Sequence, residues 1–297
     1  MSRSMGGHLA ALVTILIWGS TFVVTKVLLV YLSATQILVV RFLGAALVLL
    51  PFSRGFFRWA GWRTEFWWFL AGLTGVTSYY LAENAALART SATDVGLIST
   101  TIPLLTALAS RFVEKGDRLS VRTWTGIIAA AFGVFIVMGN GLILGRQPWG
   151  DALALGAALA FTAYSLVIRK LPQGVQPLVT VTRSFFWGTL AALPFLSIDG
   201  GWPPVSVLAS LPVLESLTFL TLAASVVAYA LWNRAINILG MVKANAYIYT
   251  VPVVNTALGA IFLAEPVTLL TVAGCALVIG GVAWGGLSFA KHRCPTD

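Results

Sequence analysis

The sequence predicts an all-α polytopic membrane protein: ten transmembrane helices arranged as two inverted five-helix repeats, both termini cytoplasmic. Three observations predict it. Of 297 residues, 58% are hydrophobic and only 10% charged, against roughly 25% charged in an average soluble domain. Ten stretches approach the roughly 20 apolar residues that a helix needs to cross a bilayer. Polar and proline landmarks recur in the same order in the two halves of the chain. The composition excludes disorder, coiled coil, collagen and small disulfide scaffolds. It argues against a large soluble enzyme, because too few polar residues would remain to cover so much apolar surface. Cys275, in an apolar run, and Cys294, in the tail, are badly placed to pair.

In order, the predicted spans are 7–30, 34–51, 66–87, 93–113, 122–144, 151–168, 177–198, 212–233, 242–263 and 267–290. Short links between them hold most of the charge. With the N-terminus inside, 14 of the 19 Lys and Arg fall in cytoplasmic segments. Only Lys26, Arg89 and Arg146 fall outside, and Arg41 and Arg183 lie within spans. That asymmetry sets the orientation. Trp59, Trp62, Trp67, Trp68 and Trp124 are expected as anchors at the inner boundary, Trp149 and Trp202 at the outer. The formal net charge of +9 is thereby read as topology, with no need for a nucleic-acid partner.

Asn84 precedes Pro103 by 19 residues, and Asn233 precedes Pro252 by the same 19. Asp117 lies opposite Glu265, each nine residues before the first glycine of a pair, Gly126/Gly133 and Gly274/Gly281. Lys26 and Arg41 match Arg169 and Arg183. Five spans are an odd number, so the two copies, 1–148 and 149–297, enter the membrane from opposite sides. Inverted repeats of this kind belong to secondary transporters, with the substrate site near the midplane between them.

W-G-S-T-F at Trp18–Phe22, N-A-A-L at Asn84, the two proline-bearing fourth spans and F-L-A-E-P at Phe262–Pro266 resemble the drug/metabolite transporter superfamily. In detail the chain is similar to its ten-span branch with two EamA-type repeats. The resemblance implies export of amino acids and other small metabolites by alternating access, without ATP. In the first copy E-K-G-D replaces the second copy's A-E-P, so the resemblance assigns no equivalent role to Glu114 or Asp117.

Polar side chains inside a span turn toward the bundle interior or a cavity. Thr14, Trp18, Thr21 and Thr25 form one stripe at helical spacing, as do Gly96, Thr100, Pro103 and Ala107, and Asn245, Tyr249, Pro252 and Thr256. The third span offers Thr77, Tyr80 and Asn84; its counterpart gives Ser225, Tyr229 and Trp232, and the sixth adds Phe161, Tyr164 and Ser165. The candidate substrate-binding residues are Trp18, Thr21, Tyr80, Glu83, Thr100, Tyr164, Tyr229, Trp232, Asn245 and Tyr249. Any single Thr can equally satisfy its own helix backbone, for about 0.6 kcal/mol. Pro103 and Pro252 each free a carbonyl and allow a bend, which can also serve as a gate hinge. The paired glycines read as close helix packing.

An unpaired charge at mid-bilayer costs about 2.5–3.5 kcal/mol on insertion scales. Lys26, Arg41 and Glu83 fall toward the outer half of the first three spans. Two readings stand: an ion pair of Glu83 with Arg41 or Lys26, or an outer gate or site for a substrate's carboxylate or ammonium. Arg183, with no acid in its own span, is expected to snorkel to the interface.

No P-loop is present, nor Cys, His and carboxylates at metal-ligand spacing, so neither enzyme nor cofactor is predicted. The expected function is a secondary transporter of the bacterial inner membrane. It exports amino acids, aromatic or large apolar ones among them, with rings stacking on the side chain and Thr100 and Asn245 bonding the polar end. Two rivals are efflux of cationic compounds recognised by Glu83, and a non-transporting membrane structural subunit. The partners are the bilayer and a small-molecule substrate; oligomeric state is not encoded in a single sequence.

Overall fold

Apolar runs closed by capping residues give helix after helix in the computed structural model of the protein, which describes residues 3–113, 120–145, 148–172, 174–240, 244 and 247–291. Asn245, Glu114, Asp117, Arg146 and Cys294 lie outside the described residues. The first half comprises α1 (Arg3–Leu28), α2 (Ala34–Leu49), α3 (Trp62–Gly72), a π-helical segment (Leu73–Ser78), α4 (Tyr79–Leu87), α5 (Ala92–Ser99), α6 (Ile102–Val113) and α7 (Val121–Ile143). The second comprises α8 (Pro148–Ile168), α9 (Pro177–Ile198), the short α10 (Val205–Leu208), α11 (Leu211–Thr218), a second π segment (Phe219–Val227), α12 (Ala228–Leu239), α13 (Val251–Leu263) and α14 (Leu269–Lys291). No strand occurs among the described residues.

Local chemistry sets the helix ends. Ser33 caps α2 in a reciprocal box with Gln36, and Ser91 and Ser120 cap α5 and α7. Each hydroxyl takes up a first-turn N–H that has no partner within its helix. Gly240, at φ +82°, ends α12 in a conformation open to glycine.

Among the described residues, seven helices are long and apolar enough to cross a membrane: Ser4–Leu28, Ala34–Phe52, Ala92–Phe112, Val121–Ile143, Pro148–Ile168, Pro177–Ile198 and Leu211–Leu239. Shorter apolar helices cover Val251–Leu263 and Leu269–Gly285. The run from Trp62 to Leu87 is helical throughout but diluted by Trp67, Trp68, Thr74, Thr77, Tyr79 and Tyr80. Leu16, Leu47, Phe132, Phe135, Ile261 and Phe262 are exposed on the outer faces of the bundle.

The two halves interleave. α1 packs on α12 and α13, while α8 packs on α4 and α6; α2 pairs with α9, α5 with α13 and α7 with α14. Exchanging the halves turns α1–α12 into α8–α4 and α1–α13 into α8–α6, and returns α2–α9 and α7–α14 to themselves. Gly126 and Gly133 let α7 touch α14: a Cβ on Gly126 would lie 2.6 Å from the carbonyl oxygen of Gly281, and one on Gly133 2.9 Å from that of Gly274.

The charged and proline positions depart from expectation in three places. Pro103 and Pro252 do not bend continuous helices; they stand in the first turns of α6 and α13, just after turns at Thr100–Thr101 and Tyr249–Thr250. A first-turn proline forgoes an N–H that needs no partner there, and it disfavours helical geometry in the residue before it. Arg183 does not snorkel. It is 5% exposed on its side chain, pairs with Glu65 at 2.6 Å, and donates to the carbonyl oxygens of Phe56 (2.5 Å) and Arg58 (2.6 Å). Trp68 is not an interfacial anchor either: it is buried, with the Arg183 guanidinium 3.9 Å from its ring centroid.

Candidate functional site

Four helices aim aromatic rings at one point between the halves. Tyr80 enters from α4, directly after the first π segment, and Tyr229 from α12, directly after the second. α8 brings Phe161 and Tyr164, and α9 brings Ser184 and Phe185; together these line a cavity of about 20 Å³, room for one water. Gly75 admits the Tyr164 ring, since a Cβ there would lie 2.8 Å from Tyr164 Cε2. Trp18 flanks the cluster, with its ring 5.6 Å from that of Tyr229 and 5.4 Å from that of Trp232, and its Nε1 donates to the Ala224 carbonyl at 3.3 Å. Arg41 lies above it, its guanidinium 4.8 Å from the Phe42 centroid and 5.0 Å from that of Tyr80, and its Nε donates to Ser225 Oγ at 3.0 Å. Glu83 is buried and interacts with the Tyr79 hydroxyl, while its Oε2 has no hydrogen-bond partner.

A polar network joins the halves where α1 ends. Lys26 Nζ pairs with Glu265 Oε1 at 3.1 Å and donates to the Thr90 carbonyl at 2.6 Å. Glu265, in the loop before α14, accepts from Ala92 N at 2.7 Å, Thr93 N at 3.2 Å and Thr93 Oγ1 at 2.9 Å. It therefore caps α5 from the opposite half, and a negative charge is favourable at that helix start. Thr90 Oγ1 bridges Asp151 Oδ1 (2.7 Å) and Asp94 Oδ2 (3.2 Å). At the same end a larger cavity, about 480 Å³, opens between α4 and α9 beside Ser33, Arg89 and Asp199.

Comparison with known proteins places this architecture. The model of the EamA-like transporter family matches residues 5–139 and again 148–285. The chain belongs to the EamA-like transporter family. It is an integral, multi-pass membrane protein and a transporter. An uncharacterized transporter of Archaeoglobus fulgidus is 25% identical over 283 residues, 93% of this chain and 95% of that one. The uncharacterized transporter YyaM of Bacillus subtilis is 28% identical, covering 93% and 92%. A probable terminal-alkyne amino-acid exporter of Streptantibioticus cattleyicolor is 26% identical over 219 residues, 72% of this chain and 70% of that one. A solved crystal structure shares the fold at a TM-score of 0.62 and 21% identity, over 99% of this chain and all of that one.

Within this EamA-like chain, the structure gathers Tyr80, Tyr164 and Tyr229 on the cavity, with Trp18 and Trp232 beside them. It leaves Thr21 and Thr100 bonded to their own helices, at Trp18 O (2.7 Å) and Gly96 O (2.9 Å). Tyr249 packs against the cluster of Leu97, Leu104, Val137 and Val278 instead. Lys26 turns to Glu265 and not to Glu83, and no ion pair joins Arg41 to Glu83 among the described residues. Sequence reasoning missed Glu65 as Arg183's partner and the cavity roles of Ser184 and Phe185. One signal for Glu65 was available: it is an acid just before the third predicted span, 66–87, and Arg183 lies near the start of the seventh, 177–198.

Glu265 gives a pH test. Burial pushes its carboxyl up, but Lys26 and the N–H groups of Ala92 and Thr93 more than offset this and hold it below its ordinary range. A depressed folded-state pKa stabilises fully above the unfolded value, and the gain is lost as pH falls through the folded one. Glu265→Gln is therefore expected to cost about 2 kcal/mol at neutral pH and to converge on the wild type in acid. Thermal unfolding of the purified protein across that range checks it; equal melting temperatures at neutral pH would refute the cap.

Proposed function

We propose that the protein exports amino acids, including aromatic and large apolar ones, across the bacterial inner membrane. On this reading the chain crosses ten times with both termini cytoplasmic, and its halves, 1–148 and 149–297, are inverted repeats that alternate access to a site between them. The convergence of Tyr80, Tyr164 and Tyr229 with Phe161 and Phe185 on a cavity between the halves carries the proposal. Rings of this kind stack on an apolar side chain without excluding its polar end. Helix pairs that exchange with one another when the halves are exchanged support the inverted arrangement, and the exporter named among the relatives supports the substrate class. The cavity is too small for an amino acid as it stands, so occupation requires the halves to part. Closure at the α1 end by Lys26 and Glu265 fits an arrangement in which that latch opens during the cycle.

On this reading transport runs downhill, and a pH-gradient dependence of flux that vanishes in Glu83→Gln would overturn it. Purified protein in liposomes is expected to move labelled phenylalanine or tryptophan down its gradient, at a rate lowered at least about tenfold by Tyr229→Ala through loss of ring contact. No flux of any amino acid would sink the substrate assignment. Efflux of cationic compounds is the second reading, favoured by the unpartnered Oε2 of Glu83.

A further inference from the structure

Two buried charged residues flank the aromatic cavity without a direct ion pair between them among the described residues. Arg41 is 5% exposed and Glu83 4%. The Arg41 guanidinium lies 5.0 Å from the Tyr80 ring centroid, and Glu83 stands one turn beyond Tyr80 on α4. Arg41 spends its Nε on Ser225 and lays its guanidinium against Phe42 and Tyr80. Glu83 keeps one carboxylate oxygen, Oε2, buried and without a hydrogen bond.

Buried charges persist when something of opposite sign completes them. Arg41 and Glu83 together sum to zero, so a lone cation meets repulsion from Arg41 and a lone anion from Glu83. A molecule carrying both charges satisfies both. We propose that Arg41 and Glu83 read the two ends of a zwitterionic α-amino acid: the Arg41 guanidinium takes the carboxylate, and Glu83 Oε2 takes the ammonium. The side chain then lies among Tyr80, Tyr164, Phe185 and Tyr229. This rests on the reading of the aromatic cavity as the transport site and deepens it. The polar end moves from Thr100, whose hydroxyl is committed to Gly96 O, to the charged pair, and efflux of simple cations is disfavoured. A guanidinium suits a carboxylate because its paired N–H groups match the two oxygens.

The test is competition against labelled phenylalanine uptake into liposomes holding the full-length protein. The competitors are phenylalanine, 2-phenylethylamine (no carboxylate) and 3-phenylpropionate (no ammonium). Wild type is expected to prefer phenylalanine over either analogue by about 10- to 100-fold, the value of one hydrogen bond to a charged group. Arg41→Gln abolishes the preference over the amine and keeps that over the acid; Glu83→Gln does the reverse. Retention of both preferences by either variant overturns the proposal. So does a wild type that accepts the amine or the acid as well as phenylalanine, a result that stands even where a variant fails to fold. If no amino acid moves at all, the export reading fails; if phenylalanine moves but the competition pattern is absent, only the Arg41–Glu83 assignment fails.

Discussion

Arg183→Gln is expected to lower stability by about 3–5 kcal/mol, the cost of leaving one partner of a buried ion pair alone. Glu65 would remain with a 9% exposed side chain and no counter-charge. The carbonyl groups of Phe56 and Arg58, which accept from Arg183 Nη2, would lose their donor in the same step. Glu65→Gln should cost a similar amount for the mirror-image reason. The double replacement Arg183→Met with Glu65→Leu, which removes both charges and keeps the volume, should recover at least half of the loss. Thermal unfolding of the three purified proteins decides the matter. A wild-type melting temperature for Arg183→Gln would mean that the pair is solvated and does not hold the α2–α3 loop to α9.

A second loss of comparable size is expected where α3 crosses α9. A Cβ on Gly72 would lie 2.9 Å from the carbonyl oxygen of Ser184, and one on Gly188 2.7 Å from that of Gly72. Backbone, unlike a side-chain tip, has no rotamer by which to retreat. Gly72→Leu or Gly188→Leu should therefore cost at least about 3 kcal/mol, the upper range for overpacking, and sharply reduce the yield of monodisperse protein. Gly139→Leu and Gly156→Leu, at positions where no atom lies within 4 Å of a new Cβ, should leave the yield unchanged. Equal yields for all four would show that the crossing can spread to admit a side chain.

The helices were legible because apolar length is a property of each segment alone. Tyr80 and Tyr229 were legible because they occupy the same place in the two copies, and Trp18 because a central Trp is out of place as an anchor. Thr100 and Tyr249 misled for one physical reason. Both stripes assume an unbroken helix, but the chain turns at Thr100–Thr101 and Tyr249–Thr250, so residues on either side of a break share no face. Arg183 misled because its acid sits on another helix, 118 residues away in the chain; periodicity within a span carries no information about that. Phe185 looks like any other apolar residue until α9 is packed against α2, where its ring meets Phe42 at 4.8 Å. Lys26 was expected either to pair with Glu83 or to serve an outer gate; its acid is Glu265, noticed in the sequence only as a repeat landmark, since a loop residue has no predictable reach.

The π-helical segments end at Ser78 and Val227, each immediately before the pair of residues that carries Tyr80 or Tyr229. A π turn closes its hydrogen bonds one residue later than an α turn, so each segment stores a surplus residue within a packed rod. Passing that surplus along the axis turns each residue it passes by about 100° while the rod's ends stay where they are. Ser225, which holds Arg41, lies inside one such segment and donates to Leu220 O five residues back. A swivel in that helix would thus re-aim a cavity ring and release the guanidinium in a single movement, giving the protein torsion about a helix axis as a way of changing what its cavity presents.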